Sequence, residues 1–312
     1  MRKNIIIDTD PGQDDAVAIM MALGSPELEV LGITVVAGNV PLNLTARNTR
    51  IICELAGRTD IKIFAGADKP IRGDQVTAEH AHGSSGLDGI ELFEPSIPLQ
   101  AMHAIDFLLQ TVSEQPSKTV SLCPIGPLTN IALALKRKPE IGQRIEQIVM
   151  MGGGYFIQGN VTPSAEFNIF ADPEAAEIVF QSGIPITMLP LDVTHKVLAN
   201  KKRLNCIKSI NNSASDALAG MLSFYGRYNS KKYGEDGAPL HDPTAIAWLI
   251  EPDLFTGKFC NVEIEVNSSL TRGATVIDWW GVTGRKENAT VINDVDANGF
   301  FKLLLERLAN LG

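Results

Sequence analysis

Short apolar runs alternate along the chain with longer segments whose apolar residues recur at helical spacing. The short runs predict buried strands at Asn4–Ile7, Val30–Val36, Ile61–Ala65, Thr119–Cys123, Gln147–Met151 and Ile184–Leu189. The longer segments predict helices at Ala16–Leu23, Leu44–Leu55, Ala101–Ser113, Leu128–Lys136 and Pro173–Phe180. Strands and helices in alternation are typical of an α/β fold, here a mostly parallel open sheet flanked by helices on both faces.

Polar and glycine-rich loops follow several of the predicted strands. Asp8-Thr9-Asp10 follows the first strand, Gly38-Asn39 the second, and Pro124-Ile125-Gly126 and Gly152-Gly153-Gly154 two later ones. In open parallel sheets, ligands bind outside the carboxyl ends of the strands. We therefore expect an active site at that edge of the sheet.

The first loop is unusually acidic. Asp8, Asp10, Asp14 and Asp15 lie within eight residues and no basic residue stands among them. Carboxylates brought together repel one another unless a cation binds or some are protonated, so we predict a divalent metal site. The alternative is that Asp14 and Asp15 only favour a helix N-terminus, which explains Asp8 and Asp10 less well. Oxygen ligands without Cys or His indicate calcium or magnesium.

Composition narrows the class of protein. The chain has 312 residues, 45% of them hydrophobic and 20% charged, which we expect to form a single domain over residues 1–312. A net charge of −9 and a pI near 5.1 disfavour nucleic-acid or membrane partners and favour a small neutral substrate. The first apolar run is too short for a signal peptide, and the four scattered cysteines are predicted to be buried free thiols. We expect a cytoplasmic protein.

Two further polar clusters have both structural and functional interpretations. If the segment Glu166-Phe167-Asn168 is extended, Glu166 and Asn168 share a side and, with Asn160, could bind neighbouring hydroxyls such as a ribose diol; the alternative is a polar turn. Asp242, which His241 precedes and Pro243 follows, could cap a helix. It could equally bind the metal while His241 transfers a proton, and the two interpretations are compatible.

Two long segments depart from the alternation of strands and helices. Residues 66–98 are rich in Gly, Pro and Asp and include Glu79-His80-Ala81-His82-Gly83, and loops of that length are usually functional lids or disordered. Residues 221–240 carry aromatic residues, among them Tyr225 and Tyr228, at helical spacing, which suits core packing and ligand stacking equally.

Several common catalytic motifs are missing from the sequence. There is no Gly-x-x-x-x-Gly-Lys-Ser/Thr loop and no Gly-x-Gly-x-x-Gly following a strand, which disfavours nucleoside triphosphate and NAD chemistry. The Gly-x-Ser-x-Gly elbow of serine hydrolases is also missing.

Six motifs, in order along nearly the whole chain, resemble the inosine-uridine nucleoside hydrolase family of calcium-dependent N-ribohydrolases. They are Asp8-Thr9-Asp10-Pro11-Gly12-Gln13-Asp14-Asp15-Ala16, Ala37-Gly38-Asn39, His82-Gly83-Ser84-Ser85-Gly86-Leu87-Asp88-Gly89, Gly126-Pro127-Leu128-Thr129-Asn130 with Met151-Gly152-Gly153, Ala165-Glu166-Phe167-Asn168-Ile169 and His241-Asp242-Pro243. The resemblance implies the nucleoside hydrolase fold and cleavage of ribonucleosides to ribose and free base.

The resemblance also implies roles for individual residues. Asp10, Asp15, Asp242 and the main-chain carbonyl of Ile125 would bind Ca²⁺, which holds a water and the ribose 2′ and 3′ hydroxyls. A bound metal makes such a water easier to deprotonate, and Asp10 would be the general base.

The remaining matched positions concern the substrate. The ribose would be bound by residues that match the family's sugar-binding positions, with Met151 lining the same space: Asp14, Asn39, Asn160, Glu166 and Asn168. His241 would stabilise or protonate the departing base, and His82, Phe167, Tyr225 and Tyr228 would surround it.

The substrate prediction is a broad or pyrimidine- and inosine-preferring enzyme of nucleoside salvage. The purine-specific branch places tryptophans around the base, whereas Trp248, Trp279 and Trp280 fall outside the matching loops. The family tends to form dimers or tetramers, so we expect a homo-oligomer. Two alternatives remain open: a phosphatase of the aspartyl-phosphate type, suggested by Asp8-Thr9-Asp10, and a non-catalytic calcium-dependent nucleoside or sugar binder.

Overall fold

A computed structural model describes residues 2–234 and 237–311 of the chain. The strands are β1 Lys3–Thr9, β2 Leu28–Val35, β3 Ile63–Ala65, β4 Leu99–Gln100, β5 Val120–Pro124, β6 Ile145–Met151, β7 Ile186–Leu189, β8 Leu198–Ala199, β9 Ala238–Pro239, β10 Phe255–Ile264, β11 Thr275–Asp278 and β12 Ala289–Val295. The α-helices are α1 Gln13–Leu23, α2 Leu42–Leu55, α3 Glu79–His82, α4 Ala104–Glu114, α5 Thr129–Arg137, α6 Phe167–Ala171, α7 Pro173–Phe180, α8 Leu191–Thr194, α9 Lys201–Lys208, α10 Ser213–Tyr233, α11 Pro243–Ile250 and α12 Ala297–Leu308.

Ten of the strands form one open sheet. Their order is β11-β10-β12-β7-β6-β5-β1-β2-β3-β4, and every pairing from β12 to β4 is parallel. The sheet ends on the other side with β10, which is antiparallel to both β12 and β11. The predicted parallel α/β architecture is confirmed, whereas the antiparallel C-terminal strands were not anticipated from the sequence.

The three consecutive isoleucines of β1 show how the sheet separates two cores. Ile5 and Ile7 belong to a buried cluster with helices α1, α2, α10, α11 and α12, whereas Ile6 belongs to a second cluster with α4, α5 and α7. Side chains alternate between the faces of a strand, so a run that is apolar on both faces requires helices on both sides of the sheet. The sequence-based expectation of two covered faces is therefore confirmed.

Some predicted features need correction. The predicted strand at Ile61 begins at Ile63 and the predicted helix at Ala101 begins at Ala104, which are boundary shifts of two and three residues. Cys206 is exposed, although the other three cysteines are buried free thiols as predicted. Among the described residues, the search for helices long and apolar enough to cross a membrane finds none.

Candidate active site

The predicted site residues meet at the carboxyl edge of four neighbouring strands. Asp10 follows β1, Asn39 follows β2, Ile125 follows β5, and Met151 is the last residue of β6. These strands are consecutive in the sheet, in the order β6-β5-β1-β2. The loops that sequence analysis singled out therefore converge, as expected for an open parallel sheet.

The Asp10 carboxylate is fully buried and only half satisfied. Its Oδ2 accepts a hydrogen bond of 2.7 Å from the backbone N–H of Asn39, and its Oδ1 has no hydrogen-bond partner among the described residues. The Asn39 amide also reaches the Asp10 carbonyl at 3.1 Å. Burial raises the pKa of Asp10 well above its usual value, and the charge of Asp15 raises it further. A buried carboxylate oxygen without a donor is where a cation or a proton is expected.

Three more carboxylates come together where two helices begin. Asp14 and Asp15 are in the first turn of α1, and Asp242 immediately precedes α11. Oxygen atoms of these three residues all lie within 4.8 Å of one another, and all three side chains are buried. Burial, then the charge of Asp15, raises the pKa of Asp14 to about 8. Asp242, considered as a possible cap, makes no side-chain cap hydrogen bond, so its carboxylate is directed to this group.

Neutral donors hold this acidic group in place. The Thr9 hydroxyl donates to Asp15 Oδ1 at 2.6 Å, and the Gly12 N–H donates to Asp15 Oδ2 at 2.8 Å. Within residues 2–234 and 237–311, no ion pair joins any of these carboxylates to a Lys or Arg. An all-oxygen donor set with several negative charges fits a hard divalent cation such as Ca²⁺ or Mg²⁺.

Asp8, the remaining acid of the opening motif, resembles Asp10 in that its buried Oδ1 has no hydrogen-bond partner among the described residues, but side chains hold its other oxygen. Its Oδ2 accepts hydrogen bonds from the Asn130 amide at 2.8 Å and the Thr34 hydroxyl at 2.5 Å. Burial nevertheless raises its pKa to about 7. Asp8 and Asp10 both lie outside the group of three acids whose oxygen atoms are close enough to hold a metal ion, so the four acids of the opening motif do not form a single ligand set.

Glu166 and Asn168 are brought together by a helix start and not by an extended segment. Glu166 caps α6, with one oxygen accepting from the Asn168 N–H at 3.0 Å and the other from the Gly153 N–H at 2.9 Å. The segment is therefore not extended, and the condition on which these residues would share one side of a strand is not met. Burial raises the pKa of Glu166 to about 7.

The Asn168 side chain connects α6 to two strand ends. Its amide donates to the Ile125 carbonyl at 2.9 Å and to the Met151 carbonyl at 3.3 Å. Asn160 is nearby, because its side-chain oxygen accepts from the Phe167 N–H at 2.9 Å. The structure thus joins Asn160, Asn168, Ile125 and Met151 in one network, although their sequence positions span residues 125 to 168.

A cavity beside this network contains the predicted base-side residues. Its lining includes His82, Phe167, Tyr225, Tyr228, His241 and Asn160, together with Ala78, His80, Ala81, Val161 and Lys232, which sequence analysis did not select. The ring of His82 stacks on Tyr225, with 5.1 Å between ring centroids and 16° between the planes. Tyr225 and Tyr228 of α10 therefore border the cavity, and Tyr225 also belongs to the buried core, so both interpretations of that segment stay open.

Both candidate base-side histidines are buried and bonded through Nδ1. His82 Nδ1 lies 2.7 Å from Gln13 Oε1, and His241 Nδ1 lies 2.7 Å from the Thr194 hydroxyl. Burial lowers the pKa of His82 to about 3, and burial followed by the charge of His195 lowers that of His241 well below its usual value. Among the described residues, no hydrogen bond is made to Nε2 of either imidazole, so that atom can bind a ligand.

Several residues that support the site had no clear signal in the sequence. Two of them hold the candidate histidines: Gln13 bonds to His82, and Thr194 bonds to His241. Two others hold polar groups of the site: Asn130 donates to Asp8, and Lys232 Nζ donates to the Asn160 carbonyl at 2.7 Å. Only Gln13 and Asn130 lie within the motifs quoted above. The partners of Thr194 and Lys232 are 47 and 72 residues away along the chain, so local pattern could not reveal them.

Comparisons with known proteins agree with this geometry. The family model described as inosine-uridine preferring nucleoside hydrolase matches residues 5–302. The pyrimidine-specific ribonucleoside hydrolase RihA of Citrobacter koseri is 47% identical over 306 residues, which cover 98% of this chain and 97% of that protein. An uncharacterised protein of Schizosaccharomyces pombe is 48% identical over 307 residues, covering 98% of this chain and 99% of its own. The solved structure of a purine-preferring ribonucleoside hydrolase from Gardnerella vaginalis superposes with a TM-score of 0.93 at 35% identity, covering 99% of both chains.

Proposed function

This chain belongs to the inosine-uridine preferring nucleoside hydrolase family, and we propose that it hydrolyses pyrimidine ribonucleosides and inosine at a calcium site. The family assignment makes it a ribonucleoside hydrolase, a glycosidase that releases ribose and free base. The cation, the residue roles and the base preference are the parts that we propose.

The pyrimidine preference is supported by likeness to RihA. The chain is 47% identical to that pyrimidine-specific protein and 35% identical to the purine-preferring hydrolase of known structure. Among the residues described as lining the base-side cavity there is no tryptophan, whereas His82, His241 and two tyrosines are present. Base-side contacts shift selectivity by only a few kcal/mol, so inosine and other bases are expected as slower substrates.

The observation that carries the proposal is the unpartnered, buried Oδ1 of Asp10 beside a group of buried acids. We assign Asp10, Asp15, Asp242 and the carbonyl of Ile125 as cation ligands, and the oxygen-only donor set favours Ca²⁺. When bound, the cation would lower the pKa of a coordinated water and bind the ribose diol. The proximity of Asp14 to Asp15 and Asp242 also makes Asp14 a ligand candidate, in addition to its proposed contact with ribose.

The chain's own groups supply the remaining steps. Asp10 Oδ1, to which no group in the described part of the chain donates, accepts the proton of the attacking water. The side chains proposed to hold and orient the ribose as positive charge develops are Asp14, Asn39, Asn160, Glu166 and Asn168, with Met151 beside them. His241 Nε2 faces the departing base and stabilises it, while Phe167, Tyr225 and Tyr228 exclude water from the base.

The test is ribose release from uridine, cytidine, inosine, adenosine and their 2′-deoxy analogues, with calcium and after chelation. We expect calcium-dependent cleavage that requires the 2′ hydroxyl and is fastest for pyrimidines. Binding without cleavage would indicate a nucleoside binder, and release of phosphate from phosphate esters instead would indicate a phosphatase. Equal cleavage after chelation would overturn the cation assignment.

We also propose one domain over residues 1–312, a homodimer or homotetramer, and a cytoplasmic location. The ten-stranded sheet includes strands from both ends of the described chain, which supports the single domain. All four cysteines are free thiols, which suits a reducing compartment. Sedimentation of the purified protein tests the oligomeric state, and localisation of the tagged chain tests the cytoplasmic location.

A further inference from the structure

Gln13 links the acidic start of α1 to the histidine-bearing segment that borders the base-side cavity. Its side-chain Nε2 lies 2.9 Å from the His82 carbonyl and 3.1 Å from the Asp88 carbonyl, and its Oε1 lies 2.7 Å from His82 Nδ1. The Gln13 side chain is fully buried, and residue 13 immediately precedes Asp14. One neutral side chain thus connects parts of the chain 69 and 75 residues apart.

These contacts determine the orientation of the Gln13 amide. Carbonyl oxygens can only accept hydrogen bonds, so the amide nitrogen must be the atom that faces the two carbonyls. The amide oxygen is then the atom that faces His82 Nδ1, and an amide oxygen can only accept. It follows that His82 Nδ1 carries a proton.

The second ring nitrogen of His82 is left for a ligand. Within the part of the chain that the structure describes, the only side-chain hydrogen bond of His82 is the one through Nδ1 to Gln13. The ring lies on the Gly12 backbone, where an added Cβ would be 2.3 Å from Nδ1, and its other neighbour is the stacked ring of Tyr225. The imidazole is therefore fixed in orientation, and it borders the cavity.

We propose that Gln13 is a positioning residue that holds His82 as the Nδ1-protonated tautomer, so that Nε2 accepts a hydrogen bond from an N–H group of the nucleobase. His82 then recognises the bound base and takes no part in protonating it, which leaves that step to His241. The common nucleobases uracil, cytosine, hypoxanthine and adenine all carry at least one N–H group. An acceptor therefore contributes to base binding in general and favours no leaving group.

The electrostatics of the cavity agree with this assignment. Burial lowers the pKa of His82 to about 3, with a further contribution from His80. At neutral pH the ring is therefore uncharged, and with Nδ1 protonated its Nε2 has a lone pair. A ring nitrogen without a proton cannot supply one to a departing base. The lowered pKa alone does not separate His82 from His241, whose pKa burial also lowers, so the tautomer set by Gln13 makes the distinction.

The first experiment reads the tautomer directly and needs no substrate. Nitrogen-15 NMR of the calcium-loaded protein distinguishes protonated from bare ring nitrogens, and a His82→Gln variant identifies the His82 signals among those of the five histidines. We expect His82 to be protonated at Nδ1 in the unchanged protein. Gln13→Glu loses the donor to the two carbonyls but retains an acceptor for Nδ1–H, so it should keep that signature, whereas Gln13→Met should lose it. Protonation at Nε2 in the unchanged protein would overturn the proposal.

The second experiment separates base recognition from general damage to the site. This part rests on the proposed function. For Gln13→Met we expect the KM for uridine to rise about tenfold, the effect of losing one hydrogen bond, with kcat within about twofold of the starting value. Inhibition by D-ribose, which has no base, should be unchanged. Gln75→Met is the matched control. Gln75 lies in the same segment as His82, residues 66–98, but its side chain donates to the Val40 carbonyl and not to His82.

The outcomes separate this proposal from the proposed function. If the unchanged protein cleaves no ribonucleoside, the function fails while the NMR result still decides the tautomer. If Gln13→Met weakens D-ribose inhibition as much as it raises the KM for uridine, Gln13 only supports the structure of the site and the positioning role is wrong. If Gln13→Met does not fold, the spectra of the unchanged protein and of Gln13→Glu give the decision.

Discussion

In the carboxyl groups of the site, burial changes the pKa more than hydrogen bonding does. Asp8 accepts two side-chain hydrogen bonds, which lower its pKa, and burial still raises that pKa to about 7. Asp14 has acidic neighbours in addition, and its pKa rises to about 8. Neutral donors therefore do not compensate for burial at these positions, and a bound cation would.

Replacing Asp10 by Asn tests the proposed general base. The amide cannot accept the proton of water and contributes no negative charge, so ribose release from uridine should fall by at least about a thousandfold. Steady-state ribose assays measure the loss, and circular dichroism checks that the variant is folded.

Asp8→Asn is the matched control for that substitution, since it also removes one buried carboxylate, from the adjoining end of β1. Asp8 is not among the proposed cation ligands, and its Oδ2 is held by Thr34 and Asn130, so we expect its kcat to fall by less than about tenfold. Near-normal turnover in Asp10→Asn, or equal losses in the two variants, would contradict the assignment of Asp10.

His241→Ala tests stabilisation of the departing base. Uridine should lose about a hundredfold in kcat, because its leaving group needs a donor, whereas p-nitrophenyl riboside should lose less than about tenfold, because nitrophenolate leaves without one. Parallel ribose assays on the two substrates provide the measurement. Equal modest losses on both would mean that His241 only positions the ligand.

At the scale of elements, the turn between β5 and α5 shows how closely backbone approaches the site. A Cβ at Gly126 would lie 2.4 Å from Asp10 Oδ1, the oxygen that has no protein partner. A side chain at residue 126 would occupy the space that the proposed cation and water need. The glycine after Ile125 therefore serves the site itself in addition to the turn.

Gly126→Ala should accordingly weaken calcium binding and destabilise the fold. We expect a loss of about 1–3 kcal/mol in the free energy of unfolding from overpacking, and at least a tenfold weaker calcium affinity. Denaturant unfolding and calorimetric titration measure the two effects. Gly142→Ala is the control, because its added Cβ would meet Ile184 at an ordinary 3.4 Å. Unchanged calcium affinity in Gly126→Ala would show that the space beside Asp10 is not used.

Across the whole molecule, the sheet assembles a site from distant segments. Asp10 lies at the end of β1 and Asp242 at the start of α11, yet the charge of Asp10 affects the pKa of Asp242. The repulsion among these acids is a cost that folding itself imposes, because the unfolded chain keeps them apart and hydrated. Cation binding and global stability should therefore be linked.

This linkage predicts opposite pH trends with and without calcium. The pKa of Asp14 is about 8 in the folded protein and near 3.8 when exposed, so between these values the folded, cation-free protein keeps a proton that the unfolded chain has released. The free energy of unfolding in chelator should then fall as pH rises from about 4 to 8. In calcium the fall should be reduced or reversed, because deprotonated ligands bind the ion more tightly.

Scanning calorimetry at several pH values, in chelator and in calcium, measures these slopes. Magnesium at the same concentration is the control for ion selectivity, since a site built for Ca²⁺ should gain less from the smaller ion. Parallel slopes in chelator and calcium would show that the buried acids do not bind the ion.

The sequence by itself determined the sheet class and most of the loops that converge on the site. Strand runs such as Ile5-Ile6-Ile7 are apolar on both faces, which requires helices on both sides, and the polar residues that follow them lie at the carboxyl edge by geometry alone. Local signals therefore sufficed to place Asp10 and Asn39 at that edge, and their roles stay predictions.

Only the tertiary structure decided the partners within the site. The helical start at Phe167, the contact between Gln13 and His82 and the group formed by Asp14, Asp15 and Asp242 depend on distances between segments far apart in sequence. Periodicity reports which face of an element is buried, and it carries no information on which distant side chain packs there. Hydrogen bonds and charge repulsion act over a few ångströms, so these pairings exist only once the sheet has brought its loops together.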